Sequence, residues 1–80
     1  MLRFVKKRQH TAAKIVQQIG LLLLQTRERL ALTQAELAEL SGVSARSIRE
    51  LENGRGNIGI RPLQQLLRVL GLTLEIKQNA

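Results

Sequence analysis

Apolar residues follow a helical period along most of the chain and a strand period near its end. From Thr11 to Leu30 they recur at steps of three and four, which predicts an amphipathic helix. Its inward residues are Ile15, Ile19, Leu22, Leu23 and Leu30. A later helix has the same spacing at Ile60, Leu63, Leu66, Leu67 and Leu70. Pro62 is tolerated in its first turn, and Gly71 is expected to end it.

Two shorter helices are predicted between these stretches. Thr33 and Glu36 have the spacing of a capping box, which predicts a helix from Gln34 to about Ser41. The apolar stripe of that helix is Ala35, Leu37, Ala38 and Leu40. Gly42 offers the positive φ of a helix C-terminus, and Val43 is expected to fill the corner that follows.

Ser44 can cap the next helix, in which Ile48 and Leu51 point inward. The residues left pointing outward are Ala45, Arg46, Arg49, Glu50 and Asn53. Two helices joined by a short turn that contains Gly form a helix-turn-helix, and the second helix of this motif enters the major groove of DNA.

Ten residues of this unit resemble the Xre and lambdoid phage repressor/Cro family of helix-turn-helix proteins. They are Gln34, Leu37, Ala38, Gly42, Val43, Ser44, Ile48, Leu51, Glu52 and Gly54. The resemblance implies an all-α, compact helix-turn-helix domain of four or five helices, similar to lambda repressor, that binds double-stranded DNA. The alternative is an αα-hairpin that carries the pattern by chance and binds no DNA.

Composition agrees with this interpretation. A chain of 80 residues makes one domain with a small core, and such domains often gain stability by oligomerising. The net charge of +7 attracts polyanions, of which nucleic acid is the obvious one. The absence of cysteine excludes disulfides and thiolate metal sites and is compatible with a reducing cytoplasm.

Residues 1–10 are predicted to be a basic arm or a short strand. This segment carries Arg3, Lys6, Lys7 and Arg8 and no acidic residue. It could follow DNA phosphates or a minor groove, or it could simply be solvated. The predicted domains are the arm (1–10), the DNA-binding domain (11–71), a dimerisation strand (72–77) and a tail (78–80).

No enzyme, cofactor or metal site is predicted. The chain has no Cys, Asp or Tyr, and its single histidine, His10, lies in the arm. The longest apolar run, Leu21 to Leu24, is too short to span a membrane, and the basic N-terminus has no apolar segment of a secretion signal. We therefore expect a cytoplasmic protein.

The outward residues at the start of the second motif helix are predicted to read bases or the flanking phosphates. They are Ser44, Ala45, Arg46, Arg49 and Glu50. Arg46 is the first choice, because a guanidinium can donate twice to guanine. Glu50 could accept from cytosine or pair with Arg46 at the i,i+4 spacing.

Four other residues are predicted to contact the DNA backbone. Thr33 and Gln34 begin the first motif helix. Asn53 and Arg55 belong to the turn Asn53 to Asn57, whose backbone donors are expected to be accessible.

The resemblance also implies an ion pair between Arg27 and Glu52, which would fix the first helix to the end of the reading helix. Both residues are expected to be structural. One departure from the family is Ala31, where a glycine is common before the Leu-Thr-Gln start of the next helix.

The segment Leu72 to Lys77 alternates between apolar and polar residues, as half-buried strands do. A lone strand leaves its backbone unpaired, so we expect it to form an intersubunit sheet in a homodimer, with Leu72, Leu74 and Ile76 as dimerisation residues. Leu2 to Val5 could also join this sheet.

The four helices followed by Leu-Gly-Leu-Thr-Leu-Glu resemble the HipB-type antitoxins over about Ile15 to Lys77. That resemblance implies a repressor of a palindromic operator that autoregulates its operon and is the antitoxin of a HipA-like kinase toxin. The alternatives are a stand-alone or phage-type regulator without a toxin and a protein-interaction module that does not bind DNA.

Overall fold

A computed structural model of the protein describes residues 2–5 and 12–78. In chain order the elements are β1 (Leu2–Val5), α1 (Ala12–Arg29), α2 (Gln34–Ser41), α3 (Ala45–Glu52), α4 (Ile60–Leu70) and β2 (Leu74–Lys77). The predicted class, a compact helix-turn-helix domain with a short C-terminal strand, is confirmed. Within the predicted arm, Leu2–Val5 form β1. The arm residues Lys6, Lys7, Arg8 and His10 lie outside the described residues.

The predicted caps are confirmed and set the ends of α2 and α3. The Thr33 hydroxyl accepts from the Glu36 N–H at 3.0 Å, and the Glu36 carboxylate accepts from the Thr33 N–H at 2.9 Å. Gly42 has φ 77° and ends α2. The Ser44 hydroxyl then accepts from the Ser47 N–H at 3.1 Å and begins α3.

A single core lies between the four helices. Its buried apolar residues are Ile19, Leu23, Leu37, Val43, Ile48, Leu51, Leu63, Leu66, Leu67 and Leu70. Helix α1 packs on α3, and α2 packs on both α3 and α4. Thr26 is also buried, and the apolar pattern gave no sign of it.

Four predicted core positions are wrong. Leu30 follows the end of α1 and is exposed in the turn, and Ile60 is exposed as the first residue of α4. In α2 the inward face is centred on Leu37, and Ala35 lies about 160° from it, on the opposite face. Leu40 is only about 60° from Leu37 but lies in the last turn of the helix and is exposed.

The turn between α1 and α2 contains the one non-glycine residue of the described chain with a positive φ. Ala31 has φ 58°, and its N–H donates to the Glu28 carbonyl at 3.0 Å. The left-handed conformation costs an alanine about 1–2 kcal/mol. The turn therefore keeps the left-handed conformation although Ala31 stands where the family commonly has glycine, and the alanine side chain adds strain to it.

Gly20 lets the backbones of α1 and α3 meet directly. It is buried in the middle of α1, and a Cβ atom placed on it would overlap the carbonyl oxygen of Leu51 near the end of α3. Any side chain here would push the reading helix away from α1.

β2 finds a partner within its own chain. It pairs in parallel with β1, with Leu2 opposite Leu74 and Phe4 opposite Ile76. The prediction that β2 needs a second subunit to be paired is therefore wrong for one of its edges, and the alternative with Leu2 to Val5 is confirmed. Leu72 and Leu74 pack against the core, whereas Ile76 is 79% exposed.

Candidate nucleic-acid interface

Helix α3 has one fully buried face and one face of arginines. Ile48 and Leu51 are inaccessible to solvent, at 0% and 2% exposure. On the other face Arg49 is exposed, and the side chain of Arg46 is 85% exposed. Burial of the two apolar residues fixes the rotation of the helix, so the arginines are held away from the protein.

Arg46 and Glu50 form an ion pair on this exposed face. The Arg46 Nε atom donates to Glu50 Oε1 at 3.2 Å, and the Glu50 side chain is 45% exposed. This is the i,i+4 pair that the spacing allows. At this exposure the pair stabilises the helix by only about 0.3–0.5 kcal/mol, so a DNA ligand could separate it at little cost.

The hydroxyl of Ser44 is used within the protein. Besides accepting from the Ser47 N–H, it donates to Ser47 Oγ at 2.9 Å. Ser47 is half-buried and was not among the predicted site residues, although the Ser-x-x-Ser spacing at a helix start could have indicated the contact. Ala45 is half-buried beside it.

Arg27, Glu52 and Gln34 form a network that joins three helices. Arg27 Nε and Nη2 donate to the two carboxylate oxygens of Glu52 at 2.7 and 3.0 Å, and Gln34 Nε2 donates to Glu52 Oε1 at 2.9 Å. Arg27 Nη1 also donates to the Leu32 carbonyl at 2.7 Å. The side chains of Arg27 and Glu52 are only 12% and 4% exposed.

This network fixes the end of α3 to α1 and to the start of α2. The bond with the Glu52 carboxylate raises the pKa of the Arg27 guanidinium, although burial opposes that effect. Charge-assisted, two-pronged bonds of this kind hold their partners in one geometry. The reading helix is therefore capped at its start by Ser44 and fixed to two other helices at its end by Glu52.

The turn after α3 is folded back on the helix. The N–H groups of Asn53, Gly54 and Arg55 donate to the carbonyls of Arg49, Leu51 and Glu50 at 3.1, 2.9 and 2.8 Å. The prediction of accessible backbone donors is wrong for these three residues, because they satisfy the orphan carbonyls at the end of α3. The side chains of Asn53 and Arg55 belong to exposed residues and stay available.

Gln17 brings α1 to this turn. A Cβ atom placed on Gly54 would lie 2.8 Å from Gln17 Cγ, so the side chain of Gln17 rests on the glycine. Gly54 has φ 73°, which glycine adopts without strain. The start of α1, the end of α3 and the turn therefore form one continuous surface.

Basic charge dominates the candidate interface. Neither Arg49 nor Arg55 forms an ion pair with any described residue, and Glu50 is the one acidic side chain among the predicted DNA contacts. Unpaired arginines at a surface attract the phosphate backbone regardless of sequence. In the described part of the chain no cluster of acidic, His or Cys side chains could hold a metal ion, and none of the helices combines the length and the hydrophobicity of a membrane-spanning segment.

Comparison with known families gives a match over most of the chain. Residues 23–77 match the family model described as Helix-turn-helix, which is of the Xre/Cro type. The matched segment contains the last seven residues of α1, all of α2, α3 and α4, and β2. No curated protein matches the sequence. Since the match covers more than half of the chain, the protein belongs to the Xre/Cro-type helix-turn-helix family of DNA-binding transcription regulators.

Proposed function

We propose that the protein is a sequence-specific transcriptional repressor that binds a palindromic operator as a homodimer. The observation that carries the proposal is the structure of α3, a helix that is capped at its start, bonded to α1 and α2 at its end, and has Arg46 and Arg49 on its exposed face. A rigid helix with exposed donors near its N-terminus suits reading of base edges in the major groove.

Among the proposed base-reading residues, Arg46 is expected to contribute most to the discrimination between bases. Its guanidinium can donate to guanine O6 and N7, and Glu50, released from the pair, can accept from cytosine N4. Arg49, Ala45 and Ser44 flank it and would contact neighbouring bases or phosphates.

Thr33, Gln34, Asn53 and Arg55 are the proposed contacts to the DNA backbone. Gln34 uses one amide hydrogen on Glu52, so its second amide hydrogen would serve a phosphate. The Thr33 hydroxyl accepts in the cap of α2, and its hydrogen would turn from the Glu36 carboxylate to a phosphate. Phosphate contacts of this kind set the register of the protein without reading sequence.

Dimerisation through the free edge of β2 would place two reading helices on one side of the DNA. Pairing with β1 uses one edge of β2, and the other edge can meet the same strand of a second copy, with Leu72, Leu74 and Ile76 near the contact. A two-fold axis then predicts half-sites one helical turn apart, about 34–36 Å.

The test is selection of binding sites from duplexes of random sequence. We expect one palindromic sequence to be enriched and to bind about 10³-fold or more tightly than unrelated DNA at the same salt concentration. Recovery of sequences without a shared motif would contradict a repressor. Failure to bind any duplex would instead favour a protein-interaction module.

We further propose that the protein is the antitoxin of a HipA-like kinase toxin and autoregulates its operon in the cytoplasm. Support comes from the HipB-like order of four helices and a terminal strand. Because the reading helices face DNA in this arrangement, the toxin would contact α1 and the sheet, and no catalytic residue is needed to restrain it.

Co-expression with the neighbouring gene product tests the antitoxin proposal. Arg46→Ala should lose repression and still protect cells from the toxin, because the two partners use different surfaces. If this variant folds but fails to protect, or if no kinase-like chain is encoded nearby, the antitoxin proposal is wrong. A stand-alone or phage-type regulator then remains.

A further inference from the structure

A groove of about 760 Å³ runs along α4, away from the DNA-reading helix. Helix α4 forms one wall, and residues 72–74 form the other. No residue of α2, α3 or the turn after α3 lines it. The groove is therefore a surface separate from the candidate nucleic-acid interface.

The groove combines apolar contact area with unpaired positive charge. Ile60, Leu67 and Leu74 supply apolar surface, and Ile60 is 69% exposed. Arg61 and Arg68 are exposed on its α4 side, two helical turns or about 10 Å apart, and neither forms an ion pair with a described residue. None of the described residues that line the groove is acidic.

We propose that this groove binds an acidic peptide segment of another protein, with apolar side chains between its carboxylates. Two guanidiniums on one helix face match carboxylates at a similar spacing, and the apolar floor matches leucine-like side chains. Glu75, which follows the groove residue Leu74 in the sequence, pairs with Lys77 at 2.8 Å and forms no ion pair with either arginine.

A second copy of the chain fits the groove less well than an acidic partner. A two-fold contact brings the same patch of both copies together, which would gather four guanidiniums with no carboxylate between them. Dimerisation through β2 would use the edge of that strand, whereas the groove presents the face beside α4; the two surfaces share Leu72 and Leu74. The proposal therefore goes beyond the proposed repressor and does not depend on it.

The probe is a fluorescein-labelled peptide of about twelve residues with the repeat Glu-Leu-Glu, long enough to cover the groove whether extended or helical. Its control has Lys in place of Glu. We expect the acidic peptide to bind and the basic one not to bind, with affinity falling as salt is raised.

Matched variants locate the site. Arg68 and Arg29 are both exposed and both lie in the last turn of a helix, so Arg68→Glu and Arg29→Glu change the net charge and the helix dipole equally. Arg68→Glu should weaken peptide binding at least tenfold, and Arg29→Glu should weaken it less than about twofold.

A second pair of variants tests the apolar contact. Ile60→Ser should weaken peptide binding several-fold, whereas Leu40→Ser, at an apolar residue of α2 that is exposed to a similar extent, should not.

Several outcomes would overturn the proposal. One is that the acidic peptide does not bind, and another is that Arg68→Glu and Arg29→Glu weaken peptide binding equally. A third is that Arg68→Glu lowers operator affinity more than Arg29→Glu does, which would assign the groove to DNA. Loss of the dimer in Arg68→Glu would assign it to a second copy. Arg61→Glu repeats the test should Arg68→Glu unfold. Because no DNA is present in the peptide titration, its failure leaves the repressor proposal standing.

Discussion

Arg46 is the side chain on which base recognition depends in the proposed interface. Removal of its guanidinium should weaken binding to the operator by about 1–3 kcal/mol, because a bidentate contact to guanine is lost. Binding to random DNA should stay nearly unchanged, because no phosphate contact is lost. Fluorescence anisotropy at fixed salt, with operator and scrambled duplexes, measures both affinities for Arg46→Ala.

Arg55→Ala is the comparison variant, since Arg55 is proposed to contact phosphate. This variant should bind both the operator and the scrambled duplex more weakly, and the slope of log affinity against log salt should fall by about one unit. Equal losses on both duplexes in Arg46→Ala would reassign Arg46 to the backbone.

The Arg27–Glu52 pair gives a prediction about stability at the same scale. Arg27→Met should lower the free energy of unfolding by about 3 kcal/mol, because the Glu52 carboxylate then stays buried with only Gln34 as partner. Urea unfolding measures this loss. Arg29→Met, an exposed position on the same helix, should change stability by less than about 0.5 kcal/mol. Equal effects in the two variants would mean that the pair contributes nothing specific.

In α2, the carboxylate of Glu36 has a pKa whose shift follows from its contacts with Thr33. The Thr33 N–H and hydroxyl, by bonding to the carboxylate, hold the pKa of Glu36 below its ordinary value. The unfolded chain therefore binds a proton at higher pH than the folded one. The contribution of this carboxylate is complete above its ordinary pKa of about 4.3 and is lost as pH falls through the lowered value.

Urea unfolding of the native chain and of Glu36→Gln against pH tests this. The stability difference between them should be constant from neutral pH to about pH 5 and should shrink below it. Gln at this position keeps the cap but does not titrate. Glu39→Gln, an exposed carboxylate of the same helix outside the cap, controls for the loss of charge. A difference that stays constant into acid would show that Glu36 is not coupled to folding.

The contact between α1 and α3 makes Gly20 the glycine with the largest expected effect. Helix propensity alone would favour Gly20→Ala by about 1 kcal/mol. The overlap with the Leu51 carbonyl should outweigh this and destabilise the protein by about 2 kcal/mol or more, with a loss of operator affinity as α3 shifts. Thermal unfolding decides the sign, and a rise in melting temperature would contradict the close approach.

The elements that could be predicted from the sequence are those with local signals. Caps at Thr33 and Ser44 fix where α2 and α3 begin, and the Arg27–Glu52 pair follows from family resemblance. The contact at Gly20 could not be predicted, because one glycine in a helix carries no information about the approaching backbone. The exposure of Leu40 and Ile60 was missed because short helices bury only part of the face that an apolar stripe suggests. The proposed DNA contacts depend on docking, which no intramolecular distance reports.

For the whole molecule, the proposed homodimer depends on β2. Deleting residues 72–80 should leave a folded helical domain that is monomeric and binds the operator poorly, because each half-site is then bound alone. Light scattering measures the mass, and anisotropy measures the affinity.

Deleting residues 1–5 is the matched control for that deletion. It removes β1 and leaves β2 in place, so a dimer formed through the other edge of β2 should survive. A dimer that persists after removal of residues 72–80 would place the contact on a helix face instead.

The parallel pairing of β1 with β2 also has a consequence for the order of folding. It joins two segments separated by almost the whole length of the chain, so its loop-closure entropy is the largest of any pairing among the described residues. The helices, whose hydrogen bonds are local and which carry nearly all of the buried core residues, can form in a fraction of the time that such a distant contact needs. The helix-turn-helix should therefore be assembled and able to reach DNA before the two ends of the chain have met.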